Sequence, residues 1–187
     1  MEKNDWRAGL LEKRRAMAGD EGAKEALAAA VADLVRKLEP ESVGLYWPLE
    51  GEPDVRDALR QVAEETGIAL ALPVTLKKEK RMIYRVWGRD TPIVRDEAGI
   101  ACPAESSPEI EPALVLAPCV GFSADGHRIG YGGGYFDRYL DREKERRPVA
   151  VGVAFDGLEV PAGVFESFDA PLDYIVTERR VIRNALN

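Results

Sequence analysis

The chain has 187 residues, 45% hydrophobic and 32% charged, enough for one compact domain to bury a continuous core without disulfide or metal staples. Its 33 acidic against 26 basic residues leave a net charge of −7, a field that repels polyanions, so general nucleic-acid binding is not expected. No apolar stretch approaches the ~20 residues that cross a bilayer, and the polar opening around Lys3, Asn4 and Asp5 is no signal-peptide core. A cytoplasmic protein without membrane contact is expected.

Cys102 and Cys119 have no Cys-x-x-Cys spacing, and His127 is the single histidine, which argues against a disulfide framework or a structural zinc. Trp6, Leu10 and Lys13 stand one turn apart, and Leu27, Val31, Leu34 and Leu38 repeat in the same way. Two helices are predicted over the first 38 or so residues, broken near Ala18, Gly19 and Asp20. Ser42 to Trp47 reads as a short buried strand closed by Pro48. Asp54 to Glu65 then places Val55, Ala58, Leu59, Val62 and Ala63 at helical spacing, with Asp54 and Asp57 suited to the helix start and Gly67 to its end. Ile68 to Leu72 gives a second strand, stopped by Pro73, and Arg81 to Trp87 a third.

Gly88 to Glu111, carrying Pro92, Gly99, Pro103 and Pro108, is read mostly as loop, and a loop that long is expected to be functional or pinned. Ala113 to Ala117 is an apolar run ending at Pro118. A glycine-rich loop, a helix from about Tyr135 to Glu145, a strand over Val149 to Phe155 and a last strand over Tyr174 to Thr177 complete the chain. Strands alternating with helices, several apolar on both faces, predict a single-domain α/β fold with a mainly parallel sheet and helices on both faces.

The stretch from Arg128 to Asp137 has glycine at 130, 132, 133 and 134. That density carries a large entropic cost and is useful where backbone N–H groups must approach a ligand, and the helix N-terminus that follows adds partial positive charge. A phosphate is the natural guest. The loop is not a Walker A motif, because no Gly-Lys-Ser/Thr closes it. It also fails the dinucleotide Gly-x-Gly-x-x-Gly pattern, because Tyr135 holds the third glycine position. Ligands of open α/β sheets gather outside the carboxyl ends of strands, where this loop is expected to lie.

With these residues in view, the chain resembles the 5-formyltetrahydrofolate cyclo-ligase family, also called methenyltetrahydrofolate synthetase. Pro118, Phe122, Arg128, Gly130, Gly132, Gly134, Tyr135, Phe136 and Asp137 meet the family's central pattern. Tyr46, Pro48 and Glu52 look like its folate-contacting strand and glutamate. Lys3 and Arg7 look like its N-terminal basic pair, and Leu172 to Glu178 like its closing strand. Phe136 departs from the frequent Tyr, and Cys102 stands where the family often has Glu.

The resemblance implies ATP- and Mg²⁺-dependent cyclisation of 5-formyltetrahydrofolate to 5,10-methenyltetrahydrofolate, a step of one-carbon metabolism, through a phosphorylated formyl intermediate. ATP is expected at Lys3, Arg7, Arg128, Gly130, Tyr131, Gly132, Gly133, Gly134, Tyr135 and Phe136. The folate is expected against Glu52 and Tyr135, with Tyr46, Trp47, Met82, Trp87 and Phe122 as candidate walls, aromatic and Met side chains being equally suited to the core. Asp137 stands in the first turn of its helix, as a dipole partner or as a ligand of Mg²⁺, and the resemblance adds Asp173 as a second ligand. A monomer or weak homodimer is expected. The competing readings are a divergent paralogue and a non-catalytic module that binds a nucleotide or phosphate through the glycine loop.

Overall fold

The computed structural model describes residues 3–141, 146–165 and 171–184; the side chains of Lys3 and Asn4 lie outside that description. The two N-terminal helices form as α1 (Lys3–Met17) and α2 (Glu21–Leu38). Asp20 caps α2 by accepting from the Ala23 N–H at 3.0 Å, which satisfies one of the first-turn donors. Leu27, Val31, Leu34 and Val35 form its buried face. Strand β1 (Ser42–Gly44) leads into α3 (Arg56–Thr66), which Gly67 ends in the left-handed conformation at φ 78°, and β2 (Ala69–Leu76) follows.

Pro73 does not stop β2. Trp87 N–H donates to the Leu70 carbonyl, so alternate residues Leu70, Leu72 and Val74 turn their polar groups to the next strand, β3 (Arg81–Val86). Pro73 faces the other side, past the last β1 pairing at Gly44 and Ala71. Its missing N–H therefore breaks no ladder.

The long connection after β3 is more structured than a loop. It holds a hairpin of β4 (Ile93–Arg95) and β5 (Ala101–Pro103) and a short β6 (Glu109–Ile110). Asp96 pins the hairpin, accepting from Thr75 N–H at 2.8 Å and from the N–H groups of Ala98 and Ile100 at 2.9 Å each. Then come β7 (Leu114–Pro118), a second hairpin of β8 (Gly121–Phe122) and β9 (Arg128–Ile129), α4 (Tyr135–Leu140), β10 (Val149–Val153), β11 (Tyr174–Val176) and β12 (Val181–Arg183). Helix α4, expected to run to Glu145, is capped by Asp141; residues 142–145 lie outside the described residues.

The main sheet runs β12-β11-β10-β7-β1-β2-β3-β6. From β11 to β2 neighbours pair parallel, while β12, β3 and β6 make antiparallel edges. Leu114, Val115, Leu116 and Ala117 of the central β7 are each 0% exposed, as a strand covered on both faces requires. Leu116→Ala would leave a cavity in the middle of the core at a cost of about 2–5 kcal/mol. Helices lie on both faces: Tyr84 meets the Tyr139 ring of α4 at 5.1 Å, whereas Trp87, an odd number of residues on, lies 4.4 Å beneath the Arg60 guanidinium of α3.

Candidate active site

A cavity of about 490 Å³ opens at the carboxyl ends of the parallel strands, within the size range of small-molecule sites. Tyr46 and Trp47 reach it from just past β1, Pro73 and Thr75 from late in β2, and Pro118 from the end of β7. Met82 of β3, paired with Thr75, shares the same face. The pinned β4–β5 hairpin brings Ala98 and Ile100 to the mouth.

One wall is the glycine loop. Gly132 and Gly134 sit at φ 94° and 65°, a region that strains any residue with a Cβ. Among the described residues, no hydrogen bond is donated by the N–H groups of Gly130 through Gly134. The loop is held from outside. Arg7 Nε donates to the Gly130 carbonyl at 2.7 Å, and its guanidinium packs 3.5 Å from where a Cβ on Gly132 would be. Arg128, 7% exposed, lies with its guanidinium 5.0 Å from the Phe136 ring and 3.4 Å from the Asp137 carboxylate. A Cβ on Gly130 would come within 2.7 Å of Arg128 Nη1, so this glycine makes room for the cation. Asp137, with a side chain 41% exposed, faces the same cavity.

The opposite wall carries Glu52, whose side chain is 2% exposed. Its Oε2 accepts from the Leu49 N–H at 2.8 Å, while Oε1 has no hydrogen-bond partner among the described residues. Burial pushes the Glu52 carboxyl above its ordinary range, against the opposing pull of the Leu49 N–H, of Arg14 and of the Tyr131 hydroxyl. Tyr46 contributes its ring; its hydroxyl is committed to the Pro53 carbonyl at 2.6 Å. Trp47 is backed by the Arg56 guanidinium at 4.1 Å.

The family model described as the 5-formyltetrahydrofolate cyclo-ligase family matches residues 1–178. The chain belongs to the 5-formyltetrahydrofolate cyclo-ligase family. A protein of that name from Mycolicibacterium smegmatis is 30% identical over 193 residues, covering 96% of this chain and 95% of that one. Another, from Haemophilus influenzae, is 26% identical over 155 residues, covering 80% and 82%. The solved structure of Aquifex aeolicus 5,10-methenyltetrahydrofolate synthetase matches with a TM-score of 0.78 at 28% identity, over 99% of this chain and 94% of that one. A synthetase structure from Mycoplasma pneumoniae shares the fold with a TM-score of 0.76 at 22% identity, over 95% and 99%.

Of the residues that the cyclo-ligase resemblance and the sequence singled out, the structure gathers Arg7, Tyr46, Trp47, Glu52, Met82, Arg128, residues 130–136 and Asp137 around this one cavity. Others lie elsewhere. Trp87, 4% exposed, faces α3 rather than the cavity, because it stands five positions after Met82 and strand side chains alternate. Phe122, 0% exposed, belongs to the core behind β8. Asp173 sits before β11, toward the amino end of the parallel strands, where its Oδ2 accepts from the Ala150 N–H at 2.7 Å and Oδ1 lies 3.6 Å from Arg147 Nη1. The Lys3 side chain lies outside the described residues.

Sequence reasoning missed Leu49, Pro73, Thr75, Ala98, Ile100 and Pro118 as cavity lining and, above all, Arg14 behind it. Arg14 is 2% exposed and reaches both the Glu52 carboxylate and the Tyr131 hydroxyl. Its signal was present: Arg7, Leu10 and Arg14 are three and four residues apart, one face of α1, and that face carries the buried Leu10.

Proposed function

We propose that this protein catalyses the ATP- and Mg²⁺-dependent cyclisation of 5-formyltetrahydrofolate to 5,10-methenyltetrahydrofolate, releasing ADP and phosphate. The observation that carries this reading is a cavity with complementary walls: backbone N–H groups that donate no hydrogen bond among the described residues and a buried arginine on one side, a buried carboxylate on the other.

The chemistry explains the need for both walls. The N5-formyl group is an amide, a poor electrophile with a poor oxygen leaving group. Transfer of the ATP γ-phosphoryl to that oxygen releases ADP and makes the formyl carbon reactive. N10 then bonds to this carbon, loses its proton, and the C–O bond breaks to release phosphate. No enzyme nucleophile is required, so the protein's work is alignment and charge stabilisation.

In this reading the N–H groups of residues 130–135 and the guanidiniums of Arg128 and Arg7 bind the phosphates, joined by Lys3. The Glu52 carboxylate accepts hydrogen bonds from the donor-rich pterin edge or from N10. Tyr46, Trp47, Met82, Ile100 and Tyr135 enclose the flat ring system. Bound Mg²⁺ would neutralise phosphate charge. Asp137 fits such an ion as one carboxylate facing the phosphate loop, since Mg²⁺ takes its remaining ligands from phosphates and water. Among the described residues, no three His, Cys, Asp or Glu side chains cluster as a cation cage.

Supplying 5-formyltetrahydrofolate, ATP and Mg²⁺ to the purified protein should produce methenyltetrahydrofolate absorbance. Folded protein that forms no product contradicts the proposal. Binding of ATP with no folate-induced thermal shift would point instead to a paralogue acting on another substrate.

A further inference from the structure

The two walls of the cavity come from distant parts of the chain, and one buried side chain touches both. Arg14 Nη2 donates to the Glu50 carbonyl at 3.0 Å and to the hydroxyl of Tyr131 within the glycine loop. The guanidinium lies 5.3 Å from the Tyr131 ring centroid, and Nη1 is 3.7 Å from Glu52 Oε1. Gly51, at φ 77°, wraps the turn around it: a Cβ there would stand 3.4 Å from Arg14 Nε. Arg14 itself does not line the cavity.

Stability alone does not account for this arrangement. A buried ion pair offsets its desolvation only when its hydrogen bonds are complete, and apolar side chains often serve a core better. Here the pair is open: among the described residues Arg14 Nε, Arg14 Nη1 and Glu52 Oε1 make no hydrogen bond. The carboxylate is attracted to the cation without being hydrogen-bonded to it, its buried Oε1 facing Arg14 Nη1. Tyr131, by contrast, is held directly, so a single guanidinium sets where the loop stands relative to the carboxylate.

We propose that Arg14 is a positioning residue for both halves of the site, keeping the glycine loop in register with Glu52 so that nucleotide and folate are aligned by one cation. This rests on the cyclo-ligase reading of the cavity. The charge and the fork have separate tasks. The charge opposes the rise that burial imposes on the Glu52 carboxyl; the other titratable groups facing Glu52, Tyr46 past β1, Cys119 past β7 and Tyr131 of the loop, bring no positive charge. The fork fixes the separation of loop and turn, which a lysine cannot do.

Wild-type cyclisation is measured first; if it is absent, the reading of the cavity falls, independently of Arg14. With activity in hand, Arg14→Lys and Arg14→Met are compared in kcat, in KM for ATP and for folate, and in the pH profile of kcat/KM. Arg14→Lys should raise the KM for ATP about tenfold, the size of one lost charge-assisted hydrogen bond, and leave the acid limb in place. Arg14→Met should show the same loss and move the acid limb to higher pH. Tyr131→Phe should match Arg14→Lys, and the double variant should be no worse than either. If Arg14→Met does not fold, the lysine and phenylalanine variants decide between them. Unchanged KM for ATP in both, or kinetic losses that only track the fraction of folded protein, would overturn the proposal.

Discussion

The two ends of the parallel strands use the same side chains in opposite ways. At the amino end, Asp173 meets Arg147, and both its own N–H and its carboxylate are engaged by Ala150, with the N–H donating to the Ala150 carbonyl at 2.8 Å and Oδ2 receiving the Ala150 N–H at 2.7 Å. At the carboxyl end, Glu52 meets Arg14 with three buried polar atoms of the pair making no hydrogen bond among the described residues, beside an exposed glycine loop. An acid and a base close together therefore say little about function. What separates a structural pair from a candidate site is incomplete satisfaction, because buried polar groups without partners are rare unless a ligand completes them.

The sharpest way to break that contrast is to neutralise both acids. Glu52→Gln should lower kcat/KM by about 100-fold or more, since an acceptor of charge-assisted hydrogen bonds is lost in a dry site. The same variant should change the pH dependence of stability. Burial raises the Glu52 carboxyl above its ordinary value of 4.5, so the fold favours its neutral form. Wild-type stability from this group is present below that ordinary value and is lost as pH rises through the raised one. The glutamine variant, with nothing to ionise, should lack that decline in a pH series of denaturant melts.

Asp173→Ala should do the reverse. Ala150, 0% exposed, loses the acceptor for its N–H, and unfolding free energy should fall by about 1–3 kcal/mol, while kcat/KM stays within about twofold of wild type. Equal losses of activity from both variants would erase the distinction between the two ends.

The smallest effect concerns Cys119, which lies past β7 behind the cavity. Burial pushes its thiol up to about 11, and the Cys102 thiol is raised by burial as well. Both should stay silent to a thiol reagent at pH 8 until the protein unfolds. Rapid labelling of Cys119 in the native protein would show that the floor behind the cavity is open.

The helices of the N-terminal half and the strands β7 and β10 were legible because long periodic or fully apolar runs carry their own signal. The hairpins at β4–β5 and β8–β9 and the edge strand β12 were not: two or three residues show no readable period. Pro73 was misread because the side of β2 its missing N–H faces is a tertiary fact, settled by where β1 stops pairing. In the site, the glycines and Arg128 announced themselves locally. Arg14 did not, since a charged residue on a helix ordinarily reads as solvated, and only its shared face with Leu10 marked it. Trp87 was legible in principle from its odd spacing to Met82, whereas Tyr46 and Trp47, neighbours that both line the cavity, lie past the end of β1 where alternation lapses.

If one cavity aligns phosphoryl donor and folate, ring closure and ATP cleavage are a single event. Measuring ADP release and methenyltetrahydrofolate absorbance in the same reaction tests this most directly. One ADP should appear for each ring closed, with no ADP release above background when the folate lacks its formyl group. Ring closure without ADP, or ADP release that continues without formylated folate, would contradict it.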